Sequence, residues 1–169
     1  MSAENKSQVI EQIENELRRE LATLTQAARA AHEAATHAES RSEDQHDTRG
    51  LEASYLAGAQ AARAAEIERQ LQIFQKIPRN PAKPNSPISS GALIELQETL
   101  EKSQSRSLCL LSPTGGGIVV RLGGLKVQVI TPQSPLGEAL LGSRQGDDIE
   151  IETDSRLGTT KSYKILSVR

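Results

Sequence analysis

Aromatic side chains are nearly missing from this sequence. It has no tryptophan, one phenylalanine (Phe74) and two tyrosines (Tyr55 and Tyr163), and hydrophobic residues make up 36% of 169 positions. That is thin material for one large globular core; it suits a long helical element with a single apolar stripe, joined to a small core. Cysteine is also scarce. Cys109 stands alone, which excludes an internal disulfide framework and fits a reducing compartment. No apolar run approaches the ~18 residues that would suggest a membrane-spanning helix, and the polar start MSAENKSQVI does not read as a signal peptide. A net charge of -2 gives no overall basic field to hold nucleic acid. The expectation is a cytoplasmic protein.

Proline and glycine divide the chain. Residues 1–77 contain no proline and two glycines, Gly50 and Gly58; then Pro78, Pro81, Pro84 and Pro87 follow in PRNPAKPNSP. Proline lacks the amide donor and restricts the residue before it, so no helix crosses this stretch. It reads as a semi-extended linker over 78–88. Beyond it glycine and β-branched residues rise, and short apolar alternations replace helical periodicity. The expected domains are therefore 1–77 and 89–169.

The first half carries two heptad seams. One runs Ile10, Ile13, Leu17, Leu21, Leu24, Ala28, Ala31, Ala35, in steps of three and four. The other runs Ala53, Ala57, Gln60, Ala64, Ile67, Leu71, Phe74. They mirror each other about the polar stretch ESRSEDQHDTR (39–49), with alanine near it and Leu, Ile and Phe far from it. An antiparallel coiled-coil hairpin produces this match, with Ala31 near Ala57 and Leu17 near Leu71 or Phe74. Each arm of about 30 residues would span roughly 45 Å at 1.5 Å per residue. Self-association through the same seams is the alternative, so the chain is expected as a monomer with a coiled-coil dimer as the rival. Charged faces such as Arg18, Arg19, Glu20 and Glu66, Glu68, Arg69 read as solvated coil surface.

The second half reads as a small antiparallel sheet. GALIELQE (91–98), RSLCLLSP (106–113), and GIVVRL with LKVQVIT (117–131) about Gly123-Gly124 are strand-like. Ser134 is a good helix N-cap and Pro135 a good first helical residue. Leu136, Ala139 and Leu140 then form one apolar face, and Gly142 ends the helix. Gly146-Asp147 turns into DIEIE, and TKSYKILSV (160–168) closes the sheet. The fold class is α+β: an N-terminal antiparallel helical coiled-coil hairpin and a C-terminal antiparallel β domain with one short helix.

The run SPLGEALLGSRQGDDIEIE, followed by YKILSV, resembles the C-terminal domain of the bacterial transcript-cleavage elongation factors, the Gre (GreA/GreB) family. LRRELATL (17–24) resembles the Leu-x-x-Glu-Leu-x-x-Leu opening of the Gre coiled coil, and LEASYLA (51–57) the start of its second helix. Hairpin first and sheet domain second is also the family's order. The resemblance implies an FKBP-like (FK506-binding-protein-like) C-terminal domain that docks on RNA polymerase, with Leu136, Ala139 and Leu140 as candidate docking residues. It implies a coil that enters the polymerase's secondary channel. Acids at the coil's tip would reach the catalytic Mg²⁺ of the polymerase and so come into indirect contact with backtracked RNA.

In Gre factors the tip carries Asp-x-x-Glu within a Gly-Asp-x-x-Glu-Asn-type motif. Carboxylates suit Mg²⁺, a hard ion that takes oxygen ligands; a second metal can then generate the attacking hydroxide. Counting from Leu21 places the acidic pair on Asp44 and Asp47. Aligning the Arg-Ser-Glu stretch instead favours Glu43, with Ser40 at the Asp position, and aligning Tyr55 puts Thr48 and Leu51 there. The first register keeps the coil length. In it Asp replaces Glu, the Gly is missing, and Arg41, Arg49 and His46 crowd the site. The tip candidates are thus Asp44, Asp47 and Glu43, with Asp44 and Asp47 as metal ligands only in complex with polymerase.

Other features carry bland readings. SPTGGGIVV lacks the Gly-Lys-Ser/Thr ending of a phosphate loop and reads as a connection between strands. His32, His37 and His46 have no metal-ligand spacing. Cys109 sits in an apolar run as core filler. An aromatic-poor sheet offers no proline pocket for a prolyl isomerase. No Ser-His-Asp or Cys-His constellation is present, so the chain is expected to be no enzyme itself and to hold no cofactor of its own. A coiled-coil adaptor or dimerising scaffold is the rival function.

Overall fold

The structure is a computed structural model, and it describes residues 3–36, 49–83, 85–100, 103–154 and 159–169. Two long helices come first, α1 (Ala3–Thr36) and α2 (Arg49–Lys76). Six strands and a short helix follow: β1 (Leu93–Leu100), β2 (Ser103–Leu111), β3 (Val119–Leu122), β4 (Leu125–Ile130), α3 (Pro135–Leu140), β5 (Asp148–Asp154) and β6 (Thr159–Val168). The helical hairpin and the mostly antiparallel sheet with one short helix agree with the sequence expectation. The chain divides into two compact units, Glu14–Gln72 and Met1–Ile13 with Ile73–Arg169. This division cuts the helices themselves rather than following the proline-rich stretch.

Within Glu14–Gln72 the seams are the inward faces. Leu17, Ile67 and Leu71 are buried, while Leu21, Leu24, Ala28, Ala31, Ala57, Gln60 and Ala64 are half-buried between exposed neighbours. The Ala35 and Ala53 side chains lie outside the described residues. Burial is shallower from Leu21 onward in α1 and before Ile67 in α2, the stretches that run into alanine and offer less apolar area to cover. Arg63 bridges the helices by donating from Nε and Nη2 to Glu20 Oε1 at 3.1 and 2.9 Å. Both side chains are over 40% exposed, so the pair is worth no more than about 1 kcal/mol. The seam carries the association.

In the other unit, the start of α1 runs antiparallel to the chain leaving α2. Lys6 Nζ donates to the Asn80 carbonyl at 3.1 Å, and Arg79 Nη1 donates to the Ser7 carbonyl at 3.3 Å. One step forward on α1 is matched by one step back on the other segment.

The sheet order is β3-β4-β2-β1-β6-β5. All pairings are antiparallel except β2 with β4, which is parallel, with Leu108 opposite Val127 and Leu110 opposite Val129. This corrects the wholly antiparallel expectation. β3 and β4 form the anticipated hairpin, closed by Gly123 and Gly124 at φ of 54° and 86°, the left-handed pair that a two-residue turn needs. The hairpin is laid so that β4 lies inside and β3 at the edge. Alternation in sequence reports which face a residue occupies, not the direction of its neighbouring strand.

Both sheet faces are covered, which is why Leu108-Cys109-Leu110-Leu111 reads as a continuous apolar run. On one face Ile94, Leu96, Cys109, Leu111, Ile130, Ile149 and Ile165 pack with Leu140 of α3 and with Ile88. On the other, Leu93, Leu108, Leu110, Val127 and Val129 are equally buried. The helix ends contribute buried Ile10, Ile13, Phe74 and Ile77 to the same unit. A Cβ placed on Gly115, in the glycine-rich loop after β2, would lie 2.9 Å from the Phe74 ring. Position 115 is glycine because an aromatic ring is pressed against its backbone at φ 76°, while Gly117 serves a left-handed turn at φ 92° with open space around it.

Between α2 and β1 the described residues form neither helix nor strand. This stretch is nevertheless anchored. Ile88 is 2% exposed, its N–H donates to Ser143 O at 2.7 Å, and its carbonyl accepts from Gly142 N at 2.9 Å.

Candidate functional site

The acidic-tip candidates Glu43, Asp44 and Asp47, with Ser40, Arg41, His46 and Thr48, lie outside the described residues. Among the described residues no group of three or more His, Cys, Asp or Glu is placed to hold a metal ion. His32 is exposed on α1. No helix among the described residues is long and apolar enough to cross a membrane.

The α3 region is described in full. Ser134 sits in extended conformation and caps the helix. Its Oγ accepts from Gly137 N at 3.1 Å and donates to Thr131 O at 2.7 Å. Pro135 opens the helix, where its missing N–H leaves nothing unsatisfied. Gly142 at φ 86° ends it, and Ser143 Oγ donates back to Ala139 O at 2.9 Å. The next turn is tied down twice: Arg144 N donates to Asp147 Oδ2 at 2.7 Å, and Ile165 N to Asp147 O at 3.0 Å. A helix of six residues is too short to hold itself together. The cap, the two turns and the packing of Leu140 fix it to the sheet.

Leu136 and Ala139 are partly buried against the core, and Leu140 is completely buried in it. Leu140 therefore has no surface to offer a partner, which corrects its place among the docking candidates. Helical spacing puts Leu136 and Leu140 on one face, and that face turns inward. Leu141, which the sequence reading passed over, is 50% exposed. Leu141 is the C-cap in extended conformation, so its side chain leaves the inward face of α3. Exposed Glu138 and Arg144 flank it.

Residues 121–169 match the family model described as transcription elongation factor, GreA/GreB, C-terminal domain. The C-terminal part of this chain is Gre-like. The matched segment holds β4, α3, β5 and β6, the elements just described. No curated protein matches the sequence at a significant level. Among solved structures, the GreA factor homolog 1 (Gfh1) protein of Thermus thermophilus is 24% identical, with 95% of this chain and 94% of that chain covered and a TM-score of 0.38. Thermus aquaticus Gfh1 is 22% identical over 94% and 92%, at 0.37. A transcription elongation factor GreA/GreB from Nitrosomonas europaea is 23% identical over 62% and 78%, at 0.35. These are likenesses only.

Cys109, on β2, is core filler. It is 4% exposed, and burial pushes its thiol up to about 12, so almost no thiolate forms at neutral pH. A disulfide reagent at pH 7–8 is expected to leave Cys109 unlabelled in the native protein over hours and to label it within minutes in guanidinium. Rapid labelling of the native protein would contradict this burial.

Proposed function

We propose that this chain is a transcription elongation factor of the Gre type. It binds RNA polymerase in the cytoplasm through its C-terminal domain and inserts the α1–α2 hairpin into the polymerase's secondary channel. The observation that carries this reading is the match of residues 121–169 to the GreA/GreB C-terminal domain. The long helices preceding that domain supply the kind of element the reading needs. The partly exposed Leu136 and Ala139, with Leu141 beside them, are the apolar part of the proposed docking face.

In the fuller form, Asp44 and Asp47, with Glu43 beside them, present carboxylate oxygens to a Mg²⁺ held by the polymerase. The polymerase then cleaves its own backtracked RNA. The factor supplies ligands and position rather than a catalytic group, so it is not an enzyme itself.

The test is a backtracked elongation complex assembled with purified polymerase. Wild-type protein should bind and release short RNA from the 3′ end. Asp44→Asn with Asp47→Asn should bind equally but cleave at least ~10-fold more slowly, the scale of losing even an outer-shell partner of a metal ligand. Binding without cleavage by the wild type sinks the carboxylate role and leaves a factor that modulates polymerase by occupying the channel. Failure to bind polymerase overturns the whole reading in favour of a coiled-coil scaffold.

A further inference from the structure

Lys6 lies on the buried side of α1 and is 4% exposed. Its ammonium carries three donors, and one of them goes to the Asn80 carbonyl at 3.1 Å. No carboxylate among the described residues pairs with it. Burial holds its pKa below the usual lysine value, as expected of an ammonium taken out of water without a counter-charge. Buried charges in proteins are ordinarily paired, because solvation lost on burial must be replaced.

Lys6 also lines a cavity of about 190 Å³. Pro78, Pro81 and Pro87 form part of its wall and contribute rigid surface without N–H groups. Ser89, Ser90 and Gly91 form another part, and no hydrogen bond among the described residues takes up the Ser89 or Ser90 hydroxyl. The volume is several times the ~30 Å³ that one water occupies in the liquid, so a tetrahedral oxyanion has room. Water could satisfy the spare Lys6 donors but brings them no negative charge.

We propose that the cavity bounded by Lys6, Asn80, Ser89, Ser90 and Gly91 is an oxyanion site that takes a phosphate or carboxylate group. The Asn80 carbonyl fixes the ammonium, the two spare N–H groups donate to the ligand oxygens, and the serine hydroxyls lie at the rim. This site is independent of the polymerase reading, since it lies in the unit's own helix start and proline-rich segment.

The full-length protein would be titrated with inorganic phosphate, and separately with acetate, at constant ionic strength against chloride, and followed by ¹H–¹⁵N spectra. Saturable shifts are expected at the Asn80, Ser89, Ser90 and Gly91 amides. Lys6→Met should weaken binding about tenfold or more, the scale of one charge-assisted hydrogen bond. Saturation by phosphate alone or by acetate alone supports the site and names its ligand. Equal shifts with chloride, no saturation with either anion, or unchanged affinity in Lys6→Met overturns it. If Lys6→Met fails to fold, the ¹⁵Nζ signal of Lys6 in the wild type decides: it must move on saturation.

Discussion

Gly137→Ala is expected to destabilise the C-terminal domain by roughly 3–5 kcal/mol, although alanine is the better helix former. A Cβ at this position would lie 1.9 Å from the Thr131 carbonyl oxygen and 2.7 Å from its carbon. Flexible side chains can swing aside, but this neighbour is backbone, and it is pinned. The Thr131 oxygen accepts from both Ser134 N at 3.0 Å and Ser134 Oγ at 2.7 Å. Relief requires either opening that turn, with loss of both bonds and of the cap on Gly137 N, or withdrawing α3 and lifting Leu140 from the core. Helix propensity returns at most about 1 kcal/mol, so the clash wins. Urea unfolding followed by circular dichroism should show the loss, with a fall in Tm of roughly 10 °C or more. Glu138→Ala, one residue on and exposed, is the control and should stay within about 0.5 kcal/mol of wild type. A Gly137→Ala protein within 1 kcal/mol of wild type would show that the turn is not held as described.

Phe74→Ala is expected to cost about 3–5 kcal/mol. Phe74 has no exposed surface, and it is the largest of the fully buried side chains. Its ring fills the space directly above Gly115, so truncation leaves a cavity in the unit that holds the sheet. The same contact gives a sharper test. Gly115→Ala alone drives a methyl into the ring at 2.9 Å and forces alanine to φ 76°. In the Phe74→Ala background the steric part of that penalty vanishes and the φ strain stays. The two losses should therefore fall short of additivity, with a coupling of about 0.5–3 kcal/mol for residues in contact. Strict additivity in equilibrium unfolding would mean that ring and loop do not meet.

Much of this architecture was legible because its determinants are local or periodic. The heptad steps from Ile10 to Ala31 and from Ala57 to Phe74 identified the inward faces of both helices, since 3.5-residue spacing admits no other stripe. Ser134, Pro135 and Gly142 marked α3 at both ends, because capping is settled within a few residues of chain. The Gly123-Gly124 pair marked its hairpin for the same reason.

What escaped the sequence depends on groups far apart in the chain. The three tip registers differ only in where counting starts, and Ser40, Glu43, Asp44, Asp47 and Thr48 lie outside the described structure. The docking triad looked uniform in sequence, yet the sheet swallows Leu140 and leaves Leu141 half exposed. Ile88 was placed in a linker and is core, because Ser143 and Gly142 hold its backbone from 54 or more residues away. Lys6 gave no signal at all.

The sequence by itself determined the elements of this protein and the faces they bury: two seamed helices, alternating strands and a capped short helix. Those follow from backbone geometry and from the spacing of apolar side chains, which are properties of adjacent residues. Only the tertiary structure decided that β4 runs parallel to β2, that Gly137 has no room for a methyl group, and that Lys6 is buried beside a cavity with no carboxylate side chain paired to it. Each of these is set by which distant segment comes to lie alongside, and a spacing rule within one segment carries no information about that neighbour.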